Sequence, residues 1–182
     1  MTGRIKFVND LGQVRTKTNF PSIGYEYDEP SDHDSECGTY GTGDFTLPNA
    51  QCPEKFVCGA TNGTTAVHKF AQCVDSMNCA MTAGMTTGMT SNSVLALFNH
   101  QMIPHHQNAV NMCKAMLISG EAECEDIENA EDDVRCGMRV LCYEIINQQN
   151  FQIQAMRGFL EALNEDDSGV LYEDDCVVTV QN

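Results

Sequence analysis

The sequence predicts a mainly α-helical fold. It is read as a helical bundle built on an αα-hairpin, with a disulfide-stapled loop and β N-terminal extension and short strands at both ends. Three observations carry this. Apolar residues recur at three- and four-residue spacing from about residue 65 onward. Helix breakers crowd the stretch before residue 66. The chain holds 10 cysteines in 182 residues, an even number at a density that suits a disulfide framework. The expected division is an extended stapled region at 1–66, a helical bundle at 67–163, and an acidic turn with a C-terminal strand at 164–182.

In the first region, Ile5-Lys6-Phe7-Val8 is a short strand candidate. Pro21, Gly24, Pro30, Gly38, Gly41, Gly43, Pro48 and Pro53 then forbid long elements. The acidic run from Asp28 to Glu36 is expected to be a solvated loop, with Cys37, Cys52 and Cys58 tying this region to the remainder. From Thr65, Val67, Phe70, Ala71, Val74 and Met77 follow a helical period. Met77, Met81, Met85 and Met89 continue it at four-residue intervals, as core packing by flexible side chains or as a thioether relay for a soft metal. Gly84 and Gly88 weaken the helix beyond residue 83.

Ser91 or Ser93 can cap a second helix over 93–118, with a kink expected at Pro104 and a stop at Gly120. The acidic segment Glu121–Asp133 is a connection to the longest helix, 132–163, or the acidic first turn of that helix. The inner stripe of that helix is read as Val134, Met138, Leu141, Ile145, Gln148 or Gln149, Gln152 and Met156. Cys176-Val177-Val178-Thr179-Val180 closes the chain as a strand candidate. The terminal strands could pair with each other, or with a neighbouring molecule to give a homo-oligomer or filament.

The hairpin turns near residue 128. Cys124 and Cys136 are nearly equidistant from that turn, and so, further out, are Cys113 and Cys142. Antiparallel helices bring such pairs level, which predicts Cys124–Cys136 and a second bridge between Cys113 and Cys142. Cys73 and Cys79 lie on different sides of their helix and should receive loop cysteines instead.

The cysteine count places the chain in an oxidising, extracellular compartment. Asn62-Gly63-Thr64 is a glycosylation sequon at Asn62 that fits a secreted surface. The start Met1-Thr2-Gly3-Arg4-Ile5-Lys6 has no apolar h-region, so a mature or trimmed form is expected. No run approaches membrane-spanning length, so no membrane span is expected. A net charge of -16 argues against nucleic acid and favours cations.

The densest chemistry lies in His100-Gln101-Met102-Ile103-Pro104-His105-His106-Gln107-Asn108-Ala109-Val110-Asn111-Met112, where three of the five histidines mix with methionines. Imidazole and thioether are a donor set for copper, whereas zinc prefers cysteine, histidine or carboxylate. With His100 at zero on a helical wheel, Met102, His105, His106, Met112 and Met116 fall near about 200°, 140°, 240°, 120° and 160°. Met102, His105, Met112 and Met116 thus share a stripe with His106 at its edge. The alternative is a packed face whose ring nitrogens are satisfied by amides on a neighbouring helix.

Met102, His105, His106, Gln107, Ala109 and Met112 match M-x-x-H-H-Q-x-A-x-x-M, the pattern on one helix of the ferritin-like domain-of-unknown-function 305 family. Glu144, Ile145, Ile146, Gln149, Gln152, Ile153 and Met156 match the family's later E-I-I-x-x-Q-x-x-E-I-x-x-M, with Gln152 standing where the pattern has a second acid. Over about residues 93–162 the chain resembles this family. The resemblance implies a small ferritin-like helical bundle, usually exported, with copper held by the Met and His positions in some members. Met102, His105, His106 and Met112 are then the expected metal ligands, and Glu144, Gln149, Gln152 and Met156 the facing shell. Gln152 replaces an anionic donor with an amide that could instead hold a histidine ring.

No E-x-x-H, H-E-x-x-H, G-x-S-x-G or P-loop occurs, so an enzyme is not expected. Residues Asn164 to Asp175 partly mimic a calcium loop, but the first and last ligands are off pattern, so calcium is not expected. The sequence is therefore read as a secreted, non-enzymatic copper-binding bundle acting in sequestration or delivery. The alternative is an extracellular structural glycoprotein that self-assembles through its terminal strands.

Overall fold

The computed structural model describes residues 32–39, 42, 56–57, 63–86, 89–90, 93–127, 130, 132–163 and 171–172. Its elements are α1 (Asp32–Cys37), α2 (Ala66–Thr86), β1 (Met89–Thr90), α3 (Val94–Ile118), α4 (Val134–Ala162) and β2 (Leu171–Tyr172). The chain is mainly helical. Helix α3 is the central element, packed by α2 on one side and by α4 on another.

Local chemistry sets the helix ends. Thr65 accepts the His68 backbone N–H through its hydroxyl and so caps α2. Ser93 caps α3 by accepting the Ala96 N–H at 3.3 Å. Past Ser119, Gly120 takes φ +78°, a left-handed conformation that costs glycine little and ends the helix. Asp133 caps α4, accepting the Arg135 N–H at 2.7 Å. In the connection, Cys124 and Cys136 form the expected disulfide, with Cα atoms 4.8 Å apart. By loop-closure entropy this bridge is worth about 3 kcal/mol. Arg139 reaches back to donate to the Ala122 carbonyl at 3.3 Å.

Two apolar clusters hold the helices. Cys37, Cys73, Val74, Met77 and Ala115 form one, joined by Val57, Phe70 and Met112. Val110, Ile153 and Met156 form the other, joined by Met102, Ile103 and Ile146. The first lies between α2 and α3, the second between α3 and α4.

Several expectations are corrected. The run before Cys37 is not wholly a solvated loop: Asp32–Cys37 is helical and Asp34 is buried. Its carboxylate accepts the Thr42 N–H at 2.9 Å and the Thr42 and Thr39 hydroxyls at 2.8 and 3.2 Å. Those charge-assisted bonds replace the lost water. Cys37 bridges Cys73, tying α1 to α2, and Asp75 fixes Phe56 and Val57 by accepting their N–H groups at 3.0 and 2.8 Å. Cys79 is also disulfide-bonded.

Helix α2 continues through Gly84 to Thr86, and Pro104 of α3 packs close beside Gly84. A Cβ there would lie 2.9 Å from the Pro104 Cβ. Met89 is in β1, outside the helical methionine series, and pairs with Tyr172 in an antiparallel ladder that also joins Thr90 to Leu171. Pro104 is buried inside α3, which is assigned as one helix across it.

The inner stripe of α4 is in part displaced by one residue from the expected one. Val134 is 81% exposed, Leu141 45% and Met138 36%, while Gln152 also faces outward. Met156 is buried as expected and Gln149 is half-buried, while Cys142, Ile153 and Leu160 take the places of the outward-facing members. Cys113 and Cys142 are free thiols rather than a bridge.

The strand candidates at 5–8 and 176–180, Cys52, Cys58, Cys176, the Asn62 sequon asparagine and most of the calcium-loop mimic lie outside the described residues.

Candidate metal centre

Helix α3 carries the His/Met segment, and its neighbours sort that segment into three directions. Toward α4, Met102 packs with Ile103 against Val110, Ile153 and Met156. His106 is four residues after Met102 and four before Val110, so helical geometry puts it on that same side. Toward α2, Met112 packs against the cluster of Cys73, Val74 and Met77. Its sulfur accepts a contact from the Asn108 amide at 3.8 Å, and the same amide donates to Asn78 Oδ1 at 3.0 Å. His105 is exposed between these two faces.

The four expected ligands are therefore not all brought together. Met102 and His106 share the α3–α4 side, with Met156 contributed by α4. His105 stays beside His106, their ring centroids 5.8 Å apart and tilted by 60°. Met112 belongs to the opposite interface. Of the expected facing shell, Met156 is buried, Gln149 is half-buried, and Glu144 and Gln152 are exposed.

His106 is the chemically distinctive member. Its Nδ1 is buried and has no hydrogen-bond partner among the described residues. Burial holds its pKa below the usual histidine range, and the neighbouring His105 charge adds to the effect. A neutral ring with an unengaged nitrogen is in the state a metal requires. Among the described residues no three His, Cys, Asp or Glu side chains converge as a metal-ligand group. The further donors on the His106 side of α3 are the thioether of Met102 and, across the interface, that of Met156, and such a set suits copper better than zinc or calcium. On this test the residues present fit a soft or borderline metal.

Beside the segment, one feature escaped the sequence reading and a second was expected as a disulfide rather than as thiols. One is a buried amide band between α2 and α3. Gln107 donates to Asn111 Oδ1 at 3.1 Å, Asn108 joins α3 to Asn78, and Asn108 Oδ1 and Asn111 Nδ2 remain without partners among the described residues. Polar residues three and four apart on a buried helix were its available signal. The other is the thiol pair. Cys113 and Cys142 are buried, and the Cys113 thiol hydrogen-bonds with Cys142 across the α3–α4 interface. Burial first, then that hydrogen bond and the neighbouring sulfur's charge, push the Cys113 pKa up to about 12. Cys113 therefore stays a protonated thiol inside the interface rather than an exposed nucleophile.

This contact also sets the register of the hairpin. Seven residues back from Cys113 is His106, and seven residues on from Cys142 is Gln149. Equal rise along antiparallel helices puts Gln149 level with His106.

The arrangement defines a helical-bundle domain with a nitrogen–thioether face between two antiparallel helices. The model of the family called domain of unknown function (DUF305) matches residues 96–175, so over that span the chain is similar to this family. No curated protein and no solved structure matches the chain.

Proposed function

We propose that this protein is a secreted, non-enzymatic copper-binding bundle that sequesters or delivers the metal. The observation that carries the reading is the buried, unpartnered Nδ1 of His106, on the helix side shared with Met102 and opposite Met156. An imidazole kept neutral by burial and flanked by thioethers is a site for Cu(I), and His105 beside it is a further imidazole for either oxidation state. The high negative charge favours approach of cations. Disulfides at Cys37–Cys73 and Cys124–Cys136 support an oxidising compartment. No helix of the described residues is long and apolar enough to cross a membrane.

The test is thermal unfolding during titration with Cu(I) or Cu(II). A metal that binds only the folded state at a hundredfold excess over Kd adds about 2.7 kcal/mol. A rise in Tm with either ion, lost in H106A and M102L, supports the reading. An unchanged Tm with both ions in the unaltered protein overturns it.

A further inference from the structure

We infer that Cys113 and Cys142 form a two-electron store that reduces Cu(II) arriving at the His106 site to Cu(I). This rests on the copper reading above and adds an activity to it. The first support is placement. The thiols are free, both buried, and in hydrogen-bond contact from two different helices. They share the α3–α4 interface with Met102, His106 and Met156. Cys113 follows His106 by seven residues, two turns along the same side of α3 and about 10 Å along its axis.

The second support is contrast. The other cysteines among the described residues, Cys37, Cys73, Cys79, Cys124 and Cys136, are disulfide-bonded. Among the described residues, only the pair inside the hairpin retains its thiols. Burial keeps a bulky oxidant from reaching these sulfurs, because thiol–disulfide exchange requires direct attack at sulfur. Electron transfer to a metal held two turns away needs no such contact.

The third support is the match between donor and product. Thioether and imidazole donors favour Cu(I), whereas copper in an oxidising compartment arrives as Cu(II). A reductant beside the site supplies the oxidation state that the site prefers. The reaction balances within the named species. Two S–H bonds break, one S–S bond forms between Cys113 and Cys142, and two protons pass to water. The two electrons released reduce two Cu(II) ions to Cu(I). The two buried thiols face each other across the α3–α4 interface, so bond formation asks for approach of the side chains rather than separation of the helices.

The experiment uses the full chain under anaerobic conditions. Free thiols are first counted by alkylation of the unfolded protein and located by peptide mapping. Cu(II) sulfate is then added, and Cu(I) is measured by a chromogenic chelator. The expected result is about two Cu(I) per chain, as a two-electron couple requires, with a new Cys113–Cys142 linked peptide. The C113S/C142S variant should lose that Cu(I) yet keep its Tm rise when copper is supplied as Cu(I). Mapping before and after copper on the unaltered protein reads the same event without relying on the variant's folding. A Cys113–Cys142 bond already present before copper, or free thiols that survive Cu(II) unchanged, overturns the inference. If Cu(I) still raises Tm in that case, the copper reading stands alone. If Cu(I) gives no Tm rise, the copper reading fails whatever the thiols do.

Discussion

Met102 and Met112 lie on one helix but pack in different interfaces, Met102 against Ile153 and Met156 of α4 and Met112 against Val74 and Met77 of α2. The ten-residue step between them turns the helix far enough to divide a sequence motif between two cores. A ligand set that looks continuous in the chain is thereby reduced to the half that shares a side with His106.

That division makes a comparison of two conservative substitutions decisive. Met to Leu keeps volume and removes the sulfur, at a cost below about 1.5 kcal/mol in stability. M102L should abolish most of the copper-dependent rise in Tm, while M112L should retain it. Thermal melts of both variants with and without Cu(I) read the difference. Equal loss in the two would return Met112 to the site.

Stability should fall on mild acidification, through His106. Its folded pKa lies below the ordinary value of 6.5, with burial the leading cause. The unfolded chain therefore binds the proton more readily than the folded one. The contribution is fully present above pH 6.5 and is lost as pH falls through the lower folded value. Chemical denaturation across this range should show that slope in the unaltered protein and a flatter one in H106N. An identical slope in both would mean that other groups carry the dependence.

Gly84 is predicted to resist replacement. Alanine is worth about 1 kcal/mol more than glycine in a helix interior. Its Cβ would stand 2.9 Å from the Pro104 Cβ, against a rigid ring that cannot rotate away. Overpacking of this kind costs about 1–3 kcal/mol, so G84A should be net destabilising. In a P104A background the same change should be milder, and a double-mutant cycle in urea should report coupling of about 0.5 kcal/mol or more. Additive effects would show that the two helices can part without penalty.

The displaced stripe on α4 has its own measurement. Ile153 is buried against Val110, and I153A should cost about 2–5 kcal/mol. Leu141 is 45% exposed, and L141A should cost well under half as much. Denaturant midpoints of the two variants rank them directly. A larger loss for L141A would restore the stripe that bulk alone suggests.

That stripe marks where the sequence stops being sufficient. Along α4, Val134, Met138, Leu141, Ile145 and Gln152 follow a helical period, and so do Cys142, Ile146, Ile153 and Leu160 one residue out of step, with Gln149 and Met156 common to both sets. Periodicity establishes a helix in either case but leaves its rotation about the axis undecided. The second set includes a small cysteine, so side-chain bulk points to the wrong side.

Local chemistry, by contrast, was legible in the chain. Ser93, Gly120 and the Cys124–Cys136 bridge act over a few residues or one short loop, and their outcome depends on little beyond that distance. The same holds for the existence of α3 and α4, whereas His106, at the edge of the stripe on the helical wheel, becomes the central residue only through its burial against α4. The tertiary structure decided the rest: which face of α4 meets α3, which methionine accompanies His106, that Asp34 is buried under three donors, and that Cys113 and Cys142 meet as thiols. Each of these depends on how one helix is rotated against another, and that rotation is chosen by the fit of two surfaces rather than by either sequence segment alone.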